Sequence, residues 1–241
     1  MLGPVAITGA RPGDTLAVTL EEIRPADYGW IYHAATPFNG ALRAATGMAD
    51  EEPRLMLWEL DADTGTARSE HGLELAMKPF MGTIGICPHT DDWHIGWYPT
   101  AQGGNLDAKE LVEGTTIYFP VAVHGALFSL GDGHALQGDG EVAGTALECR
   151  MERVTCVFAL VDDVPKTGTT FAKTPTGWVT FGVSESLDEA MGVALSAMLD
   201  ILEWKLGVDR ADAVCLASVM VDVRVTQVVN GVRGVHCVWR S

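Results

Sequence analysis

The stretch Gly125–Glu141 constrains this chain more than any other part of the sequence, because neither a regular helix nor a regular strand needs its composition. Within ten residues it holds five polar side chains, Asp132, His134, Gln137, Asp139 and Glu141. Glycines at positions 131, 133, 138 and 140 are threaded between them. Repeated glycine costs backbone entropy in regular elements, but it lets a loop adopt positive φ angles and approach a ligand closely. We therefore predict a polar loop whose side chains serve a ligand.

Two kinds of chemistry suit these side chains, and one structural role competes with them. Carboxylates and an imidazole bind hard or borderline divalent metals. The same groups act as general acids and bases on a small polar substrate. Asp132–Gly133 and Asp139–Gly140 are also strong signals for hairpin turns, which would explain the glycines without any chemistry. The position of His134 between the two aspartates favours the chemical interpretation.

A second polar segment, Gln102–Asp107, lies upstream of this stretch. Its paired glycines predict a tight turn. Asn105 and Asp107 are two residues apart, so on an extended segment their side chains point the same way. The apolar run Thr115–Val123 predicts a buried strand that carries the chain from this segment towards Asp132.

Together the two segments resemble the acetamidase/formamidase family. The strongest matches are Gly103–Asp107, Tyr118–Val121 and Gly125–Glu141, and weaker ones are Gly3–Asp14, Pro79–Ile86, Val221–Asn230 and Gly234–His236. The resemblance covers nearly the whole chain. It implies an amidohydrolase that acts on short aliphatic amides such as formamide or acetamide and releases ammonia and a carboxylate.

The chain also departs from the family pattern. Family members usually carry an additional β-rich segment ahead of the equivalent of Gly3, and we expect this chain to lack it. The segment Tyr98–Gln102 ahead of the paired glycines is unusual, and His124 stands where the family suggests a small or apolar residue. These departures concern the choice of substrate more than the fold.

The resemblance implies that the two polar segments form the active site, whereas the division of roles is our inference from side-chain chemistry. We expect a bound divalent ion, with zinc as the first choice and calcium as an alternative. Glu141 is the expected general acid and base. The candidates are Glu141, Asp132 and His134 for catalysis, Asn105, Gln137 and Gly138 for substrate binding, and Asp107, Asp132 and His134 for the metal.

Two further polar groups are weaker candidates. The cluster His89, Asp91, Asp92 and His94 has metal-binding side chains, but it matches no motif and the family resemblance does not support it as a ligand set. A solvated loop is the alternative. Asp222 and Arg224 share one face of a late strand and are expected to support the site indirectly at most.

Composition limits the binding partners and the cellular location that we expect. The net charge is −16, from 32 acidic and 16 basic residues. This argues against nucleic acid and anionic membranes as partners, and it suits a small neutral or cationic ligand. The five cysteines show neither metal spacing nor a disulfide framework, which predicts reduced thiols in a cytoplasmic protein. Neither a signal peptide nor a membrane span is predicted, and we expect a homo-oligomer.

The hydropathy pattern predicts a mainly β, antiparallel fold, sandwich- or barrel-like, with a small α+β portion at the C-terminus. We expect one domain over residues 1–241, β-rich over 1–185. A hairpin is predicted over Pro4–Ile23, and a long loop over Asp27–Glu51. Two alternative functions remain open on this fold. One is an amidase with a cysteine or carboxylate nucleophile and no metal, and the other is a non-catalytic binding module.

The C-terminal portion has the clearest local signals. The sequence Ser186–Glu189 is a capping box that opens a helix ending near Leu206. Asp209 caps a second helix that ends near Met220. Two strands then follow, joined by a hairpin turn at Asn230–Gly231.

Overall fold

The computed structural model describes residues 1–90 and 96–241. The strands in these residues are β1 (Leu2–Val5), β2 (Thr15–His33), β3 (Arg54–Asp61), β4 (Thr66–Ser69), β5 (Glu74–Ala76), β6 (Phe80–Gly85), β7 (Gly103–Asn105), β8 (Thr116–Pro120), β9 (Phe128–Leu136), β10 (Leu147–Val161), β11 (Phe171–Thr174), β12 (Gly177–Ser184), β13 (Val221–Asn230) and β14 (Val232–Arg240). The helices are α1 (Gly40–Ala45), α2 (Leu187–Leu206) and α3 (Arg210–Met220).

All these strands belong to one sheet. Its main path runs β13-β14-β12-β11-β8-β2-β10-β9-β6-β7, with β1 added beside β9 and β3, β4 and β5 extending from β2. Neighbouring strands pair antiparallel, as β10 does with both β2 and β9. The prediction of a mainly antiparallel β fold is therefore confirmed. Among the described residues the path is open and does not close into a barrel.

The core consists of several clusters of buried apolar side chains. Its largest cluster gathers buried side chains from β2, β6, β8 and β9, among them Leu16, Ile84, Phe119 and Phe128. A second cluster forms where α2 packs on β12 and β14, around Met198 and Trp178. Helix α2 thus packs on the end of the sheet that contains β13 and β14.

The predicted helices and the last hairpin are confirmed. The Ser186 hydroxyl accepts a hydrogen bond from the Glu189 amide at 3.5 Å, and α2 ends at Gly207 with φ 67°. Asp209 accepts from the Asp212 amide at 2.9 Å at the start of α3. Strands β13 and β14 pair around Gly231. Among the described residues, none of the helices combines the length and apolarity that a bilayer crossing requires.

The hairpin predicted over Pro4–Ile23 is wrong. The turn itself exists, because the Asp14 amide donates to the Arg11 carbonyl at 3.0 Å. However, β1 pairs with β9, while β2 pairs with β3, β8 and β10. A local turn signal fixes the direction of a few residues, and the pairing partner is decided by long-range packing.

The long loop predicted over Asp27–Glu51 is also wrong. Strand β2 continues to His33, and α1 follows after a short connection. Tyr28, Trp30 and Tyr32 occupy every second position of this extension, and aromatic residues have high β propensity. Strand β3 pairs with the extension from Tyr28 to His33.

The predicted loop around Asp132 is a strand. Asp132 and His134 lie within β9, and only the second Asp-Gly pair, at Asp139, lies in a turn. A Cβ atom on Gly133 would stand 2.6 Å from the Cys149 carbonyl oxygen of β10. This glycine is therefore explained by close strand packing instead of turn formation.

Candidate active site

Five chemically active side chains from four segments meet at one place. Asp107 follows β7, Asp132 and His134 lie on β9, Glu141 follows the turn after β9, and Glu148 lies on β10. Ligand atoms of Asp107, Asp132 and His134 all lie within 4.8 Å of one another, and so do those of His134, Glu141 and Glu148. Two groups that share His134 form a single cluster, which we call the carboxylate–histidine cluster.

Strand β6 brings Asp107 and β9 together. Its residue Phe80 pairs with His134, and the Gly82 carbonyl accepts a hydrogen bond from the Asp107 amide at 3.0 Å. A Cβ atom on Gly82 would stand 2.5 Å from Asp107 Oδ1 and 2.9 Å from Asp132 Oδ2. Only glycine leaves room for the cluster here.

Three of the clustered carboxylates stand on left-handed backbone. The φ angles are 51° at Asp107, 61° at Asp132 and 47° at Glu141. Residues other than glycine rarely adopt such angles, and they persist where the surrounding structure enforces them, often at functional sites. The fold thus uses strained backbone to aim these carboxylates.

His134 is fully buried at the centre of the cluster. Its Nε2 atom lies 3.2 Å from Glu148 Oε1 and 3.6 Å from Asp132 Oδ1, and Nδ1 lies 3.9 Å from Asp107 Oδ1. Neither ring nitrogen has a hydrogen-bond partner among the described residues. Phe80 packs edge-on against the ring with centroids 5.0 Å apart, which restricts how the imidazole can turn.

Asp107 is held from one side and left open on the other. Its Oδ2 accepts hydrogen bonds from Asn105 Nδ2 at 3.1 Å and from Asn230 Nδ2. Gln137 Nε2 donates to the Asp107 carbonyl at 2.6 Å. Oδ1 is buried without a hydrogen-bond partner among the described residues. The bonds to Oδ2 fix the carboxylate while Oδ1 faces His134.

Burial dominates the charge balance of the cluster. It raises the pKa of Asp107 to about 6, and burial together with the Asp107 charge raises the pKa of Glu141 far above its ordinary value. Burial lowers the pKa of His134, but Asp132 and Glu148 outweigh it and hold that pKa well above 6.5. The ion pairs of Asp107, Asp132 and Glu148 in the described residues are all with His134. The cluster is short of positive charge.

The donor set fits a divalent cation. Asp107 Oδ1 and both nitrogens of His134 are buried polar atoms without partners, and leaving such groups unpaired costs about 1–3 kcal/mol each. Carboxylate oxygens combined with an imidazole nitrogen suit zinc, whereas calcium takes oxygen ligands alone. A cation would supply the missing positive charge, and it would give a partner to Asp107 Oδ1 and to one nitrogen of His134.

An open cavity of about 770 Å³ leads from solvent to the cluster. Its polar lining includes Asn105, Asp107, Asp132 and Glu141, together with Glu148. Gln137 and Gly138 do not line it: Gln137 is buried behind Asp107, and Gly138 is exposed on the turn beyond β9. Of the three residues expected to bind substrate, the structure brings only Asn105 to the cavity.

The sequence as a whole matches the profile of the Acetamidase/Formamidase family over residues 1–93 and 97–238. The chain belongs to the acetamidase/formamidase family. This agrees with the resemblance carried by Gly103–Asp107 and Gly125–Glu141, the segments that meet in the cluster.

Individual family members show the same relation. The chain is 26% identical over 192 residues to a formamidase of Methylophilus methylotrophus and 25% identical over 200 residues to an acetamidase of Mycolicibacterium smegmatis. Each match takes in 58% of this chain and 46% or 48% of the relative, so the chain matches about half the length of these curated relatives. The solved structure of an acetamidase from Bacillus halodurans superposes with a TM-score of 0.86 at 30% identity, over 98% of this chain and 77% of that one.

Sequence reasoning missed Glu148 in the cluster, and it missed Asn230 and Gly82 beside it. Glu148 lies among the charged residues that open β10, so its segment carries no distinctive signal. Asn230 was interpreted as a turn residue only, and Gly82 was noted only within the weaker family match Pro79–Ile86. Their roles depend on pairings with His134, Asp107 and β9 that no local pattern encodes.

A second charged cluster lies behind the first. His236 Nε2 lies 3.3 Å from Glu110 Oε1 and 4.0 Å from Asp139 Oδ1, and Lys109 Nζ contacts both carboxylates. Arg224 lies 3.8 Å from Glu110. The carboxylates here are balanced by cations. Glu110 is three residues from Asp107 and Asp139 is two from Glu141, so this network anchors two segments of the carboxylate–histidine cluster.

The weaker candidates have separate outcomes. In the cluster His89, Asp91, Asp92 and His94, the residues from Asp91 onwards lie outside the described residues. Asp222 accepts hydrogen bonds from Arg224 at 3.0 Å and from Arg240 at 2.6 Å. Within the part of the chain that the structure describes, it therefore contacts the second cluster through Arg224 alone.

Proposed function

We propose that this chain hydrolyses uncharged primary amides, of which formamide and acetamide are the simplest, to a carboxylate and ammonia. The proposal is carried by one observation: Asp107, Asp132, His134 and Glu141 converge at the end of a cavity with buried atoms that lack partners. Family membership supports the same chemistry, since named relatives are a formamidase and an acetamidase.

In this proposal Asp107, Asp132 and His134 would hold a divalent ion, with zinc as the expected metal. When present, zinc would supply Lewis-acid chemistry, which polarises a carbonyl or lowers the pKa of water to about 7. The residues behind the ligands set their geometry. Asn230 fixes Asp107 through Oδ2, and Phe80 restricts the His134 ring.

Glu141 moves the protons. It accepts a proton from the attacking water as the C–O bond forms, and it delivers that proton to the nitrogen as the C–N bond breaks. The overall change is one amide plus one water to one carboxylate plus one ammonium. A carboxyl group positioned beside the substrate can take up and return a proton in this way, as a general base and then a general acid.

Among the expected substrate contacts, Asn105 is the residue we keep for the amide, because it lines the cavity beside Asp107. Gln137 acts through Asp107, whose carbonyl it binds at 2.6 Å. Gly138 contributes to the turn that precedes Glu141, whose amide donates to the Gly138 carbonyl.

Ammonia release tests the proposal. Purified protein is assayed with formamide and acetamide as isolated, after chelation, and after zinc is added back. We expect turnover that chelation removes and zinc restores. Turnover that survives complete metal removal would reject the metal-assisted route, and the absence of turnover in the zinc-loaded protein would reject amide hydrolysis.

A further inference from the structure

The cavity over the carboxylate–histidine cluster is much larger than acetamide requires. Acetamide occupies the space of about three water molecules, roughly 90 Å³ at about 30 Å³ each. The cavity holds about 770 Å³. Sites of roughly 300–1,000 Å³ accommodate ligands of drug size. A substrate with a single methyl group would leave most of this space to water.

Two kinds of side chain line the cavity. Four carboxylates line it, and so do the aromatic side chains of Trp30, Phe38 and Trp97, which we call the aromatic wall. Phe38 and Trp97 pack edge-to-face with ring centroids 6.3 Å apart. Even so, 63% of the Trp97 surface is exposed. The aromatic wall therefore offers apolar surface that a ligand can remove from water.

The charge of the cavity selects against anions. Asp107, Asp132, Glu141 and Glu148 line it, and among the described residues no lysine or arginine does. Away from the proposed metal, an acyl chain that ends in a carboxylate would meet repulsion from these carboxylates, with no lysine or arginine among the described lining residues to pair with it. An uncharged group meets none.

Resting on the proposed function, we propose that the preferred substrate is a primary amide with a large, apolar, uncharged acyl group, such as an arylalkyl amide. A primary amide can vary only on its acyl side, and its reacting group must reach Glu141. The acyl group then packs against Trp30, Phe38 and Trp97. The reaction is unchanged: water adds to the carbonyl carbon, the C–N bond breaks, and ammonia leaves with the proton from water.

The test compares kcat/KM for ammonia release from 2-phenylacetamide, acetamide and succinamate. Single methylene groups in apolar pockets change such ratios by about 10- to 200-fold. We therefore expect 2-phenylacetamide to exceed acetamide by at least about 10-fold, and succinamate to be the poorest. Ammonia from acetamide at an equal or higher kcat/KM would overturn the inference and leave the proposed function intact.

Variants separate the aromatic wall from the catalytic cluster. In Trp97→Ala we expect kcat/KM for 2-phenylacetamide to fall about 10-fold, while acetamide changes less than about twofold. Trp204→Ala, which truncates a tryptophan on α2 with 40% exposure, is the matched control and should change neither value. Equal losses for both amides in Trp97→Ala would overturn the inference.

If the protein shows no turnover, calorimetric measurement of amide binding still tests the inference. If no amide releases ammonia, yet 2-phenylacetamide binds more tightly than acetamide and Trp97→Ala removes the difference, the apolar subsite stands and amide hydrolysis falls. If 2-phenylacetamide neither binds nor reacts, the subsite falls too.

Discussion

Asp107, which follows β7, and His134 on β9 face each other in the protein interior with atoms that lack hydrogen-bond partners in the described part of the chain. Asp107 Oδ1 lies 3.9 Å from His134 Nδ1, and neither atom has a hydrogen-bond partner among the described residues. Folding normally pairs such groups, because unpaired buried polar atoms are costly. Their persistence is the physical basis for placing a cation between them.

The first prediction concerns Asp132→Asn. The variant removes a ligand charge but should fold, since asparagine tolerates the left-handed backbone found at this position. Bound zinc and amide turnover should fall together by at least about 10- to 100-fold. Metal analysis and ammonia release measure the two losses. Asp188→Asn on α2 is the control. Loss of turnover with full metal content would remove Asp132 from the ligand set.

The second prediction concerns Gly82→Ala. The added Cβ atom would stand 2.5 Å from both Asp107 Oδ1 and His134 Cε1. We expect zinc affinity to fall at least about 10-fold because the ligands must move apart. Gly192→Ala on α2 is the control, because its new Cβ atom has no neighbouring atom within 4 Å. Its free energy of unfolding should rise by about 0.5–1 kcal/mol, since alanine favours the helix over glycine. Unchanged zinc affinity in Gly82→Ala would mean that β6 does not shape the site.

Identical local signals gave different structures, and this marks the limit of sequence reasoning here. Asp132–Gly133 and Asp139–Gly140 are the same dipeptide, but only the second lies in a turn. The first pair lies in β9, where Gly133 is needed because the backbone of β10 packs against it without room for a Cβ atom. In contrast, α2 was predictable to the residue because its cap at Ser186 and its apolar spacing are local.

The candidate site shows the same division. The segments around Asp107 and Asp132 were recognisable because each concentrates glycine and polar side chains within a few residues. Glu148 and Asn230 come from segments with ordinary strand and turn composition. They join the cluster only through the β9–β10 pairing and the β13–β14 hairpin.

The third prediction addresses the cysteine-nucleophile alternative. Burial raises the pKa of Cys149 and of Cys237 to about 12, so neither thiol forms the reactive thiolate near neutral pH. Alkylation of the native protein with N-ethylmaleimide should label the exposed Cys215 and leave amide turnover unchanged. Mass spectrometry and an ammonia assay check both points. Inactivation that substrate prevents would favour the thiol mechanism.

The fourth prediction concerns the second charged cluster. Burial raises the pKa of Glu110, but His236 and Lys109 outweigh it and lower that pKa from 4.5 to about 2. A depressed pKa stabilises the fold above pH 4.5, and this contribution is lost as the pH falls towards 2. Glu110→Gln should therefore lower the free energy of unfolding by about 1–3 kcal/mol at pH 7, and the deficit should shrink below pH 4.5.

Urea unfolding at several pH values measures this deficit. Glu74→Gln provides the control, because Glu74 pairs with Arg68 on the surface and such pairs contribute less than about 1 kcal/mol. A deficit that stays constant from pH 7 to pH 3 would show that Glu110 does not owe its stabilising effect to its charge.

The most direct test of the whole account is ammonia release by Glu141→Gln. Glutamine keeps the volume of the side chain but cannot move a proton, so turnover of a primary amide should fall about 10²–10⁴-fold. Bound zinc and the melting temperature should stay at their wild-type values, since Glu141 is not assigned to the ligand set. Wild-type turnover in this variant, with metal and stability unchanged, would contradict the account.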